Sequence, residues 1–212
     1  MYTRSRSICN RILALAVPVA ITFVAAPSAQ AGPLVASAGN CDAQELSQPF
    51  MPWADPASYT LAPDGGFEEA GSSWSLSGGA AVVSGNESYN VRNAGDARSL
   101  KLPSGSSATS ATMCVGLEHP TLRLFARNTG SPLSALKVEV HFEDAVGNVH
   151  SLPIGVVGAG SSWQPTQPML VTANLLALLP GEKTPVAFEF TPVGLGGNWR
   201  IDDVYVDPYR RS

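Results

Sequence analysis

Apolar and polar side chains alternate with period two over many short stretches of this chain. Leu136–Phe142 reads LKVEVHF, apolar residues against Lys137, Glu139 and His141, and Val186–Thr191 reads VAFEFT. Thr121–Asn128 reads TLRLFARN, with Leu122, Leu124 and Ala126 against Arg123, Phe125 and Arg127. Alternate side chains of an extended chain point to opposite faces, so each stretch predicts a strand with one buried face. Shorter strands are expected at Tyr59–Leu61, Trp74–Leu76, Ala80–Val83, Ser99–Leu102, Ala111–Val115 and Val149–Ile154. Trp163–Val171 contains prolines, which suit an edge or bulged strand. Thr172–Leu179 is the one helical candidate, stopped by Pro180-Gly181. Gly, Pro, Ser and Asn punctuate the rest. About nine or ten short strands at close spacing, with no long helices between them, predict an all-β sandwich or barrel and exclude a parallel α/β sheet.

The last strand, Trp199–Asp207, reads WRIDDVYVD. Strict alternation puts Asp202 on the face of Val204 and Val206, the side expected to be buried. A carboxylate there needs a cation or several hydrogen-bond donors, because an unpaired buried charge is costly. Asp203 and Asp207 are expected in solvent, with Glu69 on the surface.

The N-terminus adds a compartment. Arg4, Arg6 and Arg11 precede the apolar run Ile12–Ala26, and Ala29-Gln30-Ala31 is a small-x-small cleavage site. This is the pattern of a secretory signal peptide, and the run is too short to span a bilayer comfortably. The expected organisation is a signal over residues 1–31, an extended arm over 32–58 and a sandwich domain over 59–209. Gly32–Asn40 is small and flexible in composition. Pro49, Pro52 and Pro56 break the arm, while Phe50, Met51 and Trp53 make it adhesive.

Cleavage after Ala31 removes three of the thirteen Lys and Arg and none of the seventeen Asp and Glu, moving the formal charge from −4 to −7. An acidic surface argues against nucleic acid, which is bound through basic patches. Cys9 leaves with the signal, so Cys41 and Cys114 remain. In an exported protein one disulfide between them is the expectation. The chain-entropy model assigns a loop of that size roughly 4 kcal/mol.

Two segments carry a family resemblance. Leu61–Val83, LAPDGGFEEAGSSWSLSGGAAVV, is followed by Ser99-Leu100, and Asn198–Val206 reads NWRIDDVYV. The order "GGFE, W, GGA, SL, IDDV" resembles carbohydrate-binding modules of the family 4/9 and 22 type, which are galactose-binding-like jelly rolls. Asp64 stands where that family commonly has Asn. The resemblance implies a jelly-roll β-sandwich in which the GFE strand and the IDDV strand lie close together. It also implies a structural calcium ion near that junction, with Glu68 and Asp202 at the matching positions and backbone carbonyls completing the shell. Oxygen donors of this kind suit calcium.

For a polysaccharide or glycan partner the candidates are aromatic: Trp53, Trp74, Tyr89, Trp163, Trp199 and Tyr205. Flat rings suit the apolar faces of sugars, while polar neighbours fix orientation. Trp74 and Trp199 sit in strand cores by pattern. Tyr89, in a polar loop, and Trp163, beside polar residues, are the preferred ligand-binding pair. Arg123 and Arg127 flank Phe125 on the expected exposed face of their strand. They are read either as a basic-aromatic ligand surface or as a solvated face paired with Glu139 and Glu143. No catalytic pattern stands out: His119, His141 and His150 have no metal-ligand spacing, and HExxH and Gly-x-Ser-x-Gly are missing. The expectation is a secreted, non-catalytic binding module, with an exported structural or cell-surface interaction protein as the alternative.

Overall fold

The computed structural model describes residues 32–38, 44–116, 120–144, 146–172 and 183–207. Among the described residues, thirteen strands follow a five-residue helix, α1 (Pro33–Ser37), and a 3₁₀ turn at Met51–Trp53. They are β1 (Thr60–Leu61), β2 (Ser75–Ser77), β3 (Ala81–Ser84), β4 (Arg98–Pro103), β5 (Ser107–Thr109), β6 (Met113–Val115) and β7 (Thr121–Asn128). Next come β8 (Ala135–Glu143), β9 (Val149–Val157), β10 (Gln164–Pro165), β11 (Met169–Leu170), β12 (Thr184–Val193) and β13 (Asn198–Asp207). One sheet runs β10-β7-β13-β4-β3, with β1 also on β13 and β11 also on β7. The other runs β2-β5-β12-β8-β9, with β6 also on β12. All pairings are antiparallel. Of the sandwich or barrel that the strand rhythm predicted, this is the sandwich, the jelly roll that the family resemblance implied.

The core lies between the sheets. Leu136, Val138, Val140 and Phe142 of β8 face Leu122, Leu124 and Ala126 of β7, with Val186, Phe188 and Phe190 from β12. Trp74 and Trp199 belong to it, as their patterns indicated. Each buried indole finds an acceptor: Trp74 Nε1 donates to the Pro63 carbonyl and Trp199 Nε1 to Ser134 Oγ.

Three expectations need correction. The prolines of Trp163–Val171 split that stretch into β10 and β11, because proline cannot donate to a ladder. The GFE segment is not a strand: residues 63–73 form consecutive turns, with Asp64, Phe67 and Ala70 at positive φ. Asp64 holds these turns by accepting the N–H groups of Glu69 and Ser72 at 3.0 and 3.1 Å. Part of Gly32–Asn40 is helical rather than flexible, and Glu143 accepts the N–H groups of Leu34 and Val35 there. The helical candidate Thr172–Leu179 lies outside the described residues beyond Thr172.

The two motifs behind the family resemblance do meet. Val204 N–H donates to the Gly65 carbonyl at 3.0 Å, and Ala62 N–H to the Val204 carbonyl at 2.9 Å. A Cβ on Gly65 would lie 2.8 Å from the Val204 oxygen, so the close approach requires glycine.

The final strand breaks the strict alternation. Its register against β7 shifts between Asp202 and Tyr205, and Asp203 has φ +46°. This bulge reverses the phase. Trp199 and Ile201 face the core before it, and Val204 and Val206 after it. Asp202, opposite Phe125, therefore lies on the outer face and not with the valines.

Candidate functional site

The outer face of the first sheet is covered. Arg123, Phe125 and Arg127 do share it, but Phe125 is fully buried and Arg123 is only 4% exposed. The lid is the arm: Phe50 packs on Phe125, Tyr59 and Tyr205 with ring centroids 5.5, 5.0 and 5.8 Å away. Together with Ala57 and Trp163 these form a second apolar cluster. The adhesive residues of the arm thus complete a core.

Arg123 is buried there because it is satisfied. Its Nη1 donates to Asp55 Oδ2 at 2.7 Å and its Nε to the Thr166 carbonyl at 2.8 Å. Its guanidinium lies 4.1 Å from the Phe50 ring centroid. Burial alone would raise the Asp55 pKa, but hydrogen bonds from Tyr59, Ala57 and Arg123 outweigh it and hold the carboxyl below the ordinary range. The proposed pairing of Arg123 and Arg127 with Glu139 and Glu143 does not occur. Both glutamates sit on β8 in the other sheet, where Glu139 pairs with Lys137 and Glu143 receives α1.

Tyr89 and Trp163 come together, but not as a stacking platform. Trp163 is 5% exposed, packed beneath the guanidinium of Arg127 at 4.9 Å. Tyr89 remains partly exposed and its hydroxyl donates to the Trp163 carbonyl at 3.1 Å. Its ring meets Trp53 edge-on at 4.9 Å.

Beside this cluster lies an open cleft of about 480 Å³, lined by Trp53, Asp55, Arg123, Gln164, Pro165, Gln167 and others. That size is ordinary for a small-molecule site. Gln164 and Gln167 are exposed, Trp53 half-buried. An indole beside two amides and an ion pair offers an apolar face ringed by donors and acceptors. Sequence reasoning named Trp53 but absorbed it into the arm, and it missed both glutamines. The available signal was QPTQP, where prolines suppress pairing and leave amides free at a sheet edge.

The acidic junction is the second candidate. Asp202 is fully buried: its Oδ2 accepts Glu87 N–H at 2.8 Å and its Oδ1 accepts Asp203 N–H at 2.9 Å. Burial, followed by the Asp203 charge, pushes it to about 9. Asp203 and Asp207 are buried too, contrary to the sequence reading. Neither oxygen of Asp203 has a hydrogen-bond partner, and Arg92 Nε lies 3.9 Å from Oδ1. Burial and the charge of Glu87 push Asp203 to about 7. Glu68 uses Oε1 to accept the N–H groups of Ala97 and Arg98, both at 2.8 Å. Among the described residues no three Asp, Glu, His or Cys side chains converge as a metal-ligating group. Asp203 is thus the carboxylate of this junction whose oxygens lack hydrogen-bond partners, whereas each oxygen of Asp202 accepts one.

Cys114 is buried on β6. Cys41 lies outside the described residues, but Gln44, three residues later, donates through Nε2 to the Cys114 carbonyl at 2.8 Å.

No family model and no curated protein matches the sequence. Solved structures are similar in fold. One is a carbohydrate-binding module, TmCBM61 in complex with β-1,4-galactotriose: 18% identity, TM-score 0.42, covering 71% of this chain and 98% of that one. Another is the CBM22-1 xylan-binding domain from Paenibacillus barcinonensis Xyn10C: 13% identity, TM-score 0.46, covering 69% and 93%. A third is the enzymatically active domain of bacteriophage CBA120 tailspike protein 4: 18% identity, TM-score 0.47, covering 69% of this chain and 21% of that one.

Proposed function

We propose that this chain is a secreted, non-catalytic carbohydrate-binding module whose ligand site is the Trp53 cleft. The supporting observation is the lining of that cleft: a half-buried indole, the exposed amides of Gln164 and Gln167, and the Arg123–Asp55 pair. A sugar ring stacks its apolar face on an indole, and its hydroxyls bond to amides and charged groups at the rim. The arm that supplies Trp53 is tied to the sandwich by its aromatic cluster, and a Cys41–Cys114 bridge completes that attachment. The site is therefore rigid before ligand arrives, which lowers the entropic cost of binding.

The test is retention of the protein on insoluble polysaccharides and in affinity gels, with Trp53→Ala as the comparison. Binding weakened about tenfold or more in the variant supports the reading, a loss on the scale of a buried aromatic contact. Uniform absence of binding across neutral and acidic glycans refutes it.

A structural calcium ion belongs to the same proposal, with Asp203 and Glu68 as the protein carboxylates that would hold it. Its contribution would be to neutralise the junction between the GGFE turns and β13. Added calcium should raise the melting temperature and a chelator reverse the rise, since a ligand of the native state alone must stabilise it.

The alternative, an exported interaction protein without sugar binding, draws on one observation. Most aromatic residues of this face, Phe50, Tyr59, Phe125 and Trp163 among them, are consumed by packing.

A further inference from the structure

We infer that the outer face of the first sheet carries a cationic row, Arg127, Arg200 and Lys101, that takes the carboxylates of an acidic polysaccharide. The inference rests on the carbohydrate reading and extends it from the Trp53 cleft to a charged ligand class.

The row is a product of register. Arg200 on β13 is the direct partner of Arg127 on β7 and of Lys101 on β4. Directly opposed residues share a face, so three cations stand side by side across three strands, a span of roughly 10 Å at one strand spacing each. All three are half-buried. Like charges directly opposed destabilise a sheet. The usual remedy is a carboxylate, and other cations of this chain have one: Arg92 with Asp96, Arg123 with Asp55, Lys137 with Glu139. Among the described residues none of the three in the row forms an ion pair. Arg200 donates only to the Ser84 carbonyl, at 3.0 Å, and Lys101 has no side-chain hydrogen bond there. The Nε of Arg127 is buried without a partner. Burial and the neighbouring Arg200 both weaken its hold on the proton. An anion between these groups would relieve both costs.

The row also adjoins the cleft. Arg127 lies over Trp163, and the next residue, Gln164, lines the cleft and pairs with Ala126 beside Arg127. A ligand reaching from Trp53 to Lys101 thus needs hydroxylated rings at one end and spaced planar anions at the other. Guanidinium groups match carboxylates in shape as well as charge. The acidic charge of the chain, −4 whole and −7 after the expected cleavage, repels polyanions at a distance, so binding at the row rests on the local fit of planar carboxylates to its cations.

The experiment is calorimetric titration of the protein with polygalacturonate, with the same polymer methyl-esterified, and with polyphosphate as a non-glycan polyanion. Arg200→Gln, Lys101→Gln and Trp53→Ala are run alongside, each checked for an unchanged unfolding midpoint. The expected result is at least about tenfold preference for the acid form over the ester, the scale of one charged hydrogen bond. Arg200→Gln and Lys101→Gln should each shrink that preference and flatten its salt dependence, leaving ester binding unchanged. Trp53→Ala should weaken both forms. Equal affinity for acid and ester overturns the row while the carbohydrate reading survives, and so does binding confined to other, neutral glycans. Polyphosphate binding as tight as polygalacturonate also overturns the row, as charge alone would then suffice. No binding to any glycan removes both readings.

Discussion

Arg123 shows how a residue's environment decides its role. Sequence pattern gives it a face and a charge, and both are correct. Only the arm determines that the face is dry. Once buried, the guanidinium must keep its partners, because removing one side of a buried pair strands the other charge. Arg123→Gln should therefore destabilise the fold by about 3 kcal/mol or more, read as a shift in the urea midpoint at unchanged slope. The pair also sets an acid limit. The Asp55 pKa is depressed in the folded state, so its contribution is present above the unfolded value of about 4 and fades as pH falls through the folded one. Asp55→Asn should lose that stability at neutral pH and unfold with a shallower pH dependence below about pH 4. Melting curves across that range decide the matter.

At the scale of elements, the bulge in β13 is what the periodicity could not show. One inserted residue exchanges the faces of everything after it. It moves Asp202 out of the core, buries Asp203 at a left-handed φ, and still leaves Val204 and Val206 facing inward. Strict alternation had the valines right and their neighbouring carboxylate wrong, because it counts residues and a bulge adds one. The junction that accepts the bulge is tight at Gly65. Gly65→Ala would force a methyl group against the Val204 and Ala62 carbonyl oxygens, at 2.8 and 2.9 Å. Such backbone contacts cannot swing aside, so a cost of about 1–3 kcal/mol is expected. A lowered melting temperature together with faster amide exchange around Val204 would confirm that the strain sits at this junction.

Across the whole molecule, the arm is part of the fold and not an appendage. Phe50 is fully buried against three rings and under the Arg123 guanidinium. Phe50→Ala should cost about 3–5 kcal/mol, as for other fully buried aromatic truncations. It should also loosen Trp53 and so weaken glycan binding. The control is a conservative Phe50→Leu, expected to recover most of the stability; full stability in Phe50→Ala would show the arm to be dispensable. The same packing carries the proposed division of labour: the buried half of the outer face rigidifies, while its two margins, the Trp53 cleft and the Arg127–Arg200–Lys101 row, stay open to ligand.

The sequence by itself determined the sandwich. Period-two alternation in β7, β8, β12 and most of β13, punctuated by turn residues, predicts a sandwich or barrel, and the motifs at the two ends of the domain point to the sandwich. It also placed Trp74 and Trp199 in the core, where both lie. It missed β5, whose Ser107-Ala108-Thr109 has too little apolar contrast to register. What only the tertiary structure decided is which surface is wet. Polar neighbours in sequence point Tyr89 and Trp163 towards solvent, and alternation along TLRLFARN points Arg123 and Arg127 there too. Coverage by the arm and pairing across strands are long-range facts, invisible to local pattern. They put Arg123 and Trp163 inside, opened the cleft at Trp53, and aligned Arg127, Arg200 and Lys101 from strands more than twenty residues apart in the chain.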